Sequence, residues 1–376
     1  MQYDFTTARR IVIKIGSATL VDRRTGLRRG WLASLAEDII ALRARGAQVV
    51  IVSSGAVALG SPHLGPDFNR ARLADSQAAA AVGQIKLAHA YQETMARHDI
   101  TVAQILLTLD DTEVRRRYLN ARDTIEALVH LGALPVINEN DTVATHELRY
   151  GDNDRLAARV AQMISADCLV ILSDVDGLYS ADPGIDPDAT LFRHIPRITP
   201  EIEEMAGDTK ADGVGRGGMV TKMAAARIAV PSGCHVLILN GGPDHPIGRY
   251  RDTGVGTWFE AHEAPLTVRK QWIAGTLRPT SVLTVDAGAE EALSQGKSLL
   301  PAGVTAINGV FERGDTVTVQ SAGGRDLARG LVAYSSDEAR RIMGRRSDAI
   351  EELLGYKGRG PLIHRDHLVL LRETRS

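Results

Sequence analysis

The run IVIKIGS, residues 11–17, decides the fold class: a short apolar stretch with one lysine, ending in Gly-Ser. An apolar run of this length is typical of a strand buried on both faces of a parallel sheet. Five more strand-length runs follow: VVIV (49–52), AQILLT (103–108), LPVI (134–137), CLVIL (168–172) and HVLIL (235–239). Amphipathic helical patterns separate them, such as the Ala-rich stretch 73–95. This alternation predicts an α/β fold in which helices sandwich a mainly parallel sheet.

Small or polar residues follow five of these runs at the point where each strand should end. They are Gly16-Ser17, Ser53-Ser54-Gly55, Asn138 to Asp141, Ser173-Asp174 and Asn240-Gly241-Gly242. Turn chemistry alone explains one or two such ends but explains five poorly. Because ligands of open parallel sheets bind outside the carboxyl ends of the strands, the sequence predicts a ligand site at this edge.

The pattern changes after about residue 262. Residues 265–278, with Pro265 and Gly275, show neither helical nor strand periodicity and indicate a linker. The strand-like runs SVLTVD, FERGDTVTVQ, RGLVAY and HLVLL follow, with short helical stretches at 289–293 and 336–343. We therefore expect an α/β domain over 1–264, a linker over 265–278, and a small β-barrel-like domain over 279–376.

Charge and cysteine content exclude several classes of protein. The chain has 44 Lys and Arg against 46 Asp and Glu, and residues 280–376 hold thirteen of each sign. This balance argues against non-specific binding to nucleic acid or anionic lipid. Cys168 and Cys234 form no CxxC motif, so neither a disulfide framework nor a zinc site is expected. The lack of a secretory signal and of an 18-residue apolar window predicts a cytoplasmic protein that does not enter a membrane.

Lys14 lies inside the first apolar run. A lysine there is costly to desolvate unless its charge faces a ligand or a carboxylate. An edge strand with Lys14 in solvent is the alternative. The following Gly16-Ser17 step favours a ligand, because glycine lets backbone N–H groups face an anion.

The segment GDTKADGVGRGGMVTKMAAARIA, residues 207–229, carries five glycines ahead of Thr221, Lys222 and an Ala-rich helix. A Gly-rich loop that runs into a helix N-terminus is a ready anion site, and Lys222 adds a positive charge. The segment matches neither GxxxxGK[ST] nor a dinucleotide fingerprint. A flexible surface linker is the other interpretation.

Acids and amides cluster in INENDTV (137–143) and YGDNDRLAA (150–158). Asp152 or Asn153 can cap a helix beginning near Asp154, but capping requires only one such residue. The carboxylates Glu139, Asp141, Asp152 and Asp154 could together hold a substrate ammonium or stand near Mg²⁺.

Six motifs occur in an order and spacing that resemble those of the glutamate 5-kinases, a family with the amino acid kinase fold. They are IVIKIGSATL, VSSGAVALG, PVINENDTV, YGDNDRLAA, ILSDVDGLYSADP and GRGGMVTKMAAA. GKSLLPAGV, FERGDTV, ARGLVAYSS and LIHRDHLVL resemble the PUA domain of that family. The resemblance implies phosphorylation of the γ-carboxylate of L-glutamate by ATP with Mg²⁺, giving L-glutamyl 5-phosphate, the first step of proline biosynthesis. The metal would arrive with the nucleotide, since no side-chain cluster for it is evident.

The resemblance also implies roles for individual positions. Lys14 and Lys222 match catalytic lysines near the transferring phosphoryl group, and we expect Asp174 to orient them. The positions implied for glutamate are Ser54, Asp141 and Asn153, with Asp154 beside them. The positions implied for the nucleotide are Lys14, Ser173, Asp174, Arg216, Gly217, Gly218, Met219, Val220, Thr221 and Lys222. A carboxylate acceptor is already ionised at neutral pH, so no general base is required.

Two alternatives stay open at this stage. One is a sister kinase of the same fold that acts on another carboxylate or a carbamate. The other is an RNA-binding PUA protein, against which the balanced charge of residues 280–376 argues. The resemblance further implies self-association into a homo-oligomer and feedback inhibition by proline.

Overall fold

The structure, a computed structural model, describes residues 5–22, 24–65, 72–144, 152–207, 218–275, 279–356, 358 and 360–371. The chain divides into two compact units, Met1–Pro265 and Leu266–Ser376. The strands of the first unit are β1 (Arg10–Ile15), β2 (Val21–Asp22), β3 (Gly26–Leu27), β4 (Gln48–Ser53), β5 (Val102–Leu107), β6 (Leu134–Glu139), β7 (Cys168–Ser173), β8 (His194–Ile195), β9 (His235–Asn240) and β10 (Thr257–Phe259). Its helices are α1 (Ser17–Leu20), α2 (Arg29–Ala44), α3 (Ala56–Gly60), α4 (Leu73–Ala96), α5 (Leu109–Glu113), α6 (Arg115–His130), α7 (Asp152–Met163), α8 (Pro200–Met205), α9 (Met219–Ala229) and α10 (Pro246–Thr253).

The main sheet of the first unit has the strand order β5-β6-β4-β1-β7-β9-β10-β8 over the described residues. Neighbours from β5 to β9 pair in parallel, whereas β10 runs antiparallel to β9. All six runs that the sequence predicts as strands lie in this sheet. The prediction of a mainly parallel sheet sandwiched by helices is confirmed.

The two faces of β1 belong to two different core layers because side chains alternate along a strand. Ile11, Ile13 and Ile15 pack in the layer that α2, α4 and α10 cover. Val12 packs in the opposite layer, which includes residues of α7 and α9. Lys14, two residues beyond Val12, therefore shares the face that α7 and α9 cover. The strand period alone brings this lysine to those two helices.

Two glycines allow α3 and α4 to cross at backbone contact. A Cβ on Gly60 would lie 1.8 Å from the backbone oxygen of Ala79, and one on Gly83 would lie 1.7 Å from that of Ala56. No side chain fits at such distances, so glycine at both positions fixes the separation of the helices. The crossing holds α4 against the segment that follows β4.

The second unit contains a sheet of order β12-β11-β13-β14-β15, in which β11 and β13 pair in parallel and the other neighbours are antiparallel. Its strands are β11 (Val282–Val285), β12 (Val304–Asn308), β13 (Thr316–Ser321), β14 (Asp326–Leu331) and β15 (Leu368–Leu370). Its helices are α12 (Ala287–Ser294), α13 (Ser336–Ile342) and α14 (Ile350–Leu354), while α11 (Pro265–Gly275) starts at the boundary. A separate apolar core, with Leu283 and Val319 among its fully buried residues, fills this unit.

The sequence missed some elements near and within the second unit. Strand β12 and helix α14 were not predicted. Residues 265–275 form a helix that the sequence did not predict, and the linker over 265–278 stays a prediction. The buried side chain of Ile273 supports the helix by packing, which the short periodicity of this stretch did not reveal. None of the described helices combines the length and apolar character that a bilayer span requires.

Candidate active site

Five strand ends form one edge of the main sheet in the spatial order β6, β4, β1, β7, β9. Because these strands are parallel, their carboxyl ends lie side by side. The small and polar residues that follow them therefore converge, as the sequence predicted. Two helix N-termini meet this edge: α7 begins at Asp152 and α9 begins at Met219.

Lys14 reaches this edge and forms a buried ion pair with Asp154. Its Nζ lies 2.6 Å from Oδ1 of Asp154, and the two side chains are 8% and 1% exposed. The other carboxylate oxygen accepts a hydrogen bond of 2.7 Å from Oγ1 of Thr221. Asp154 thus joins strand β1 to helix α9 from its place in the first turn of α7.

Lys222 completes this charged group. Its side chain is buried, and burial lowers its pKa while the charge of Asp154 raises it and that of Lys14 lowers it further. Burial raises the pKa of Asp154, but the charges of Lys14 and Lys222, together with hydrogen bonds from Lys14 and Thr221, outweigh burial and hold the pKa below its usual value. The group thus places two lysines around one ionised carboxylate.

The N-terminus of α9 presents backbone donors beside this group. Gly218 precedes the helix in an extended conformation, and no side chain of the described residues is seen to cap it. The first N–H groups of a helix lack intrahelical partners and attract anions, so Met219 and Val220 offer donors next to Lys222. Arg216 and Gly217, predicted to belong to the same loop, lie outside the described residues.

A second cluster lies where β4, β6 and α7 meet. Nδ2 of Asn153 donates to Oγ of Ser54 at 2.8 Å and to Oδ1 of Asn138 at 3.3 Å. Asn138 is 1% exposed and donates from Nδ2 to Oε1 of Gln84 at 2.6 Å. The sequence predicted Ser54 and Asn153 but missed Asn138 and Gln84 as site residues. Asn138 stood within the quoted INEN motif, whereas nothing local distinguishes Gln84 within its Ala-rich helix.

Helix α7 starts earlier than the sequence suggested. It spans Asp152–Met163, so Asn153 and Asp154 lie inside its first turn. Their side chains are consequently available for the two clusters described above. Asp141 lies partly buried in the turn after β6, and its predicted contact with a substrate stays a prediction.

The loops after β7 and β9 are tied together at the other end of the edge. Gly241 N–H donates to the carbonyl of Ser173 at 2.7 Å, and Nδ2 of Asn240 donates to Oδ1 of Asp176 at 3.0 Å. Asp174 accepts a hydrogen bond of 3.0 Å from the Ser173 hydroxyl, and its side chain is exposed. Lys14 pairs with Asp154, and the expectation that Asp174 orients the lysines stays a prediction. Asp174 adds only electrostatic attraction toward Lys222.

The comparison with protein families agrees with this architecture. Residues 9–240 match the model of the amino acid kinase family, and residues 281–354 match the model of the PUA domain. The fold and the lysine-rich edge therefore define a kinase of the amino acid kinase class that carries a PUA domain.

Full-length relatives narrow this class. A glutamate 5-kinase of Paramagnetospirillum magneticum (strain AMB-1) is 59% identical over 366 residues, which cover 96% of this chain and 98% of that protein. Glutamate 5-kinase 1 of Rhizobium meliloti (strain 1021) is 56% identical over 362 residues, which cover 96% and 92%. The chain belongs to the glutamate 5-kinase family. The solved UMP kinase of Ureaplasma parvum overlaps 67% of this chain at 18% identity with a TM-score of 0.46, which adds nothing to this assignment.

Proposed function

We propose that this kinase transfers the γ-phosphoryl group of ATP to the γ-carboxylate of L-glutamate, giving L-glutamyl 5-phosphate and ADP, the first step of proline biosynthesis. One observation carries the chemical part of this proposal: two buried lysines share one carboxylate at the carboxyl edge of the sheet, beside an uncapped helix N-terminus. The family of the chain supplies the identity of the acceptor.

The acceptor carboxylate is ionised at neutral pH, so the protein has no proton to remove before transfer. Phosphoryl transfer instead requires alignment of the two reactants and stabilisation of the charge on the phosphoryl oxygens. Lys14 and Lys222 supply two positive charges for this purpose. Asp154 holds Lys14 by direct contact, and its negative charge also attracts the ammonium group of Lys222.

The nucleotide side of the site is proposed to be the start of α9 and the loops after β7 and β9. Backbone N–H groups of Met219 and Val220 would hold phosphate oxygens, and Thr221 is already engaged by Asp154. Among the described residues, no group of three or more His, Cys, Asp or Glu side chains is placed to hold a metal. Mg²⁺ would therefore be bound largely by the phosphates of ATP, as is common for this ion, with its charge offsetting theirs.

The glutamate side is proposed to be Ser54, Asn153 and Asp141. Oδ1 of Asn153 is buried and has no hydrogen-bond partner within the described structure. Such an acceptor is costly to leave unsatisfied, and the α-ammonium of an amino acid would satisfy it. Asp141 would add the negative charge that an ammonium prefers. Inhibition by proline and self-association of the chain stay predictions.

The test is a hydroxamate assay for acyl phosphate, with ADP release followed in parallel. L-glutamate, N-acetyl-L-glutamate and L-aspartate are offered side by side at equal concentration with Mg-ATP. We expect hydroxamate from L-glutamate well above the other two acceptors. Preferential turnover of N-acetyl-L-glutamate or L-aspartate would assign the chain to a sister activity of the same fold.

A further inference from the structure

Helix α4 presents a polar stripe to the proposed glutamate site. The stripe consists of Gln77, Gln84 and Tyr91, which are spaced by seven residues and so lie on one side of the helix. Nε2 of Gln77 donates to the carbonyl of Ala144 at 3.1 Å, and the hydroxyl of Tyr91 lies 2.9 Å from Oγ of Ser53. Gln84, in the middle, contacts Asn138 at 2.6 Å.

The contact of Gln84 differs from the other two because it sets the orientation of an amide. The backbone N–H of Glu139 can only donate, and it faces Oδ1 of Asn138 at 2.9 Å. Nδ2 of Asn138 must then point the other way, where Oε1 of Gln84 accepts from it. A buried amide with both ends engaged in this manner has one permitted orientation.

The orientation of the Asn138 amide in turn determines that of the Asn153 amide. Oδ1 of Asn138 also accepts from Nδ2 of Asn153, which donates to Ser54 as well. With Nδ2 committed to these two acceptors, Oδ1 is the atom of Asn153 that has no partner among the described residues. Each step follows from the number of donors and acceptors that the side chains carry.

Helix α4 is also fixed in place at this level. Gly83, the neighbour of Gln84, contacts the backbone of Ala56 so closely that an added Cβ would lie 1.7 Å from its oxygen. The helix cannot slide past α3 without breaking this contact. Gln84 is therefore held at a set distance from the end of β6.

We infer that Gln84 is a positioning residue for the amino-acid substrate, acting through Asn138 to keep Oδ1 of Asn153 free to accept from the substrate ammonium. This inference rests on the proposed function. Gln84 itself touches neither the lysines nor, in the described contacts, Ser54 or Asn153. Its loss should weaken the binding of the acceptor and leave the nucleotide side intact.

The test compares Gln84→Leu with the wild type in the hydroxamate assay, titrating glutamate and ATP separately. We expect the KM for glutamate to rise about five- to tenfold, the effect of one neutral hydrogen bond within a network, with the KM for ATP and kcat within about twofold. Gln84→Glu retains an acceptor oxygen and should raise the KM for glutamate less than Gln84→Leu. Gln92→Leu, an exposed glutamine on the same helix, is the matched control and should change neither constant.

A double-mutant cycle with Asn138→Ala separates positioning from general damage, with thermal melts confirming that each variant is folded. If Gln84 acts through Asn138, adding Gln84→Leu to Asn138→Ala should alter the KM for glutamate by less than about twofold. The inference would be overturned if the two substitutions raised the KM for glutamate independently, so that their factors multiply, or if Gln84→Leu left that KM unchanged. Either result would leave the proposed function standing. A wild-type enzyme that forms no hydroxamate from glutamate would overturn both.

Discussion

Replacement of Asp154 by asparagine tests the charged group at the centre of the site. The substitution keeps the shape of the side chain and an oxygen that can accept from Thr221, but it removes the negative charge between Lys14 and Lys222. Those lysine side chains are almost fully buried, so solvent cannot replace the lost charge. The buried group loses the negative charge of Asp154 while both lysine side chains stay buried.

The magnitude follows from this burial. Breaking a buried ion pair by removing one partner costs about 3–5 kcal/mol, because the remaining charge stays desolvated without compensation. Asp154→Asn leaves Lys14 without the carboxylate that lies 2.6 Å from its Nζ, so we expect a loss within that range. The pKa of Asp154 is lower in the folded state than in the unfolded state. The stabilisation that its carboxylate provides is therefore present above the pKa of the unfolded state and is lost as pH falls through the pKa of the folded state. The difference between variant and wild type should therefore persist from about pH 8 to pH 5.

Urea unfolding at neutral pH measures the loss of stability, and the hydroxamate assay measures turnover. We expect kcat to fall about 10²-fold or more, since Lys14 loses the contact that directs it. Asp174→Asn is the matched control: Asp174 is exposed and does not hold Lys14, so its loss should cost less than about 1 kcal/mol. An Asp154→Asn protein as stable as the Asp174→Asn control, with kcat near wild type, would refute the reasoning.

Three further outcomes are expected. Lys222→Met should lower kcat by about 10²-fold with the fold retained. Lys86→Met, which replaces an exposed lysine, should leave kcat unchanged. Equal activity of the two variants in the hydroxamate assay would show that Lys222 has no part in catalysis. Gly83→Ala should lower the melting temperature markedly, because the new Cβ would lie 1.7 Å from a backbone oxygen of α3; a melting curve matching wild type would contradict the helix crossing. Burial lowers the pKa of His235, whose Nδ1 accepts from Ala261 N–H at 3.0 Å. The unfolded chain therefore binds the proton first, so stability should fall as pH drops below about 6.5, with a weaker fall in His235→Gln. Urea midpoints at neutral and mildly acid pH check this last expectation, and identical slopes in both proteins would count against it.

The central sheet was predictable from sequence because its signal is local. Each buried parallel strand is a short apolar run, and its carboxyl end is marked by the small or polar residues that follow. Lys14 was identifiable for the same reason, as a charge inside such a run. The helix over 265–275 was missed because its stability comes from packing of residues such as Ile273. A segment of 11 residues is also too short to show a clear helical periodicity.

The partners of the site residues were less predictable, because they come from distant parts of the chain. Asp154 meets Lys14 across 140 positions of sequence, and local reasoning offered Asp174 equally well as the carboxylate that orients the lysines. The packing of α7 against β1 brings Asp154 to Lys14, and no local feature of the sequence indicates this contact. Gln84 is the stronger example, since one glutamine in an Ala-rich helix has no local mark that distinguishes it from Gln92.

The buried charge of the two lysines connects the site to its proposed ligand. Lys14 and Lys222 are both buried beside Asp154, and burying positive charge is unfavourable in a site of low dielectric. An anion that reaches both lysines removes this cost, and a phosphoryl group carries the charge to do so. Ligand binding that neutralises the native site raises stability by RT ln(1 + [L]/Kd), so the same feature that destabilises the empty enzyme favours nucleotide binding. The proposed phosphate-bearing ligand would therefore account for two buried lysines at this edge of the sheet.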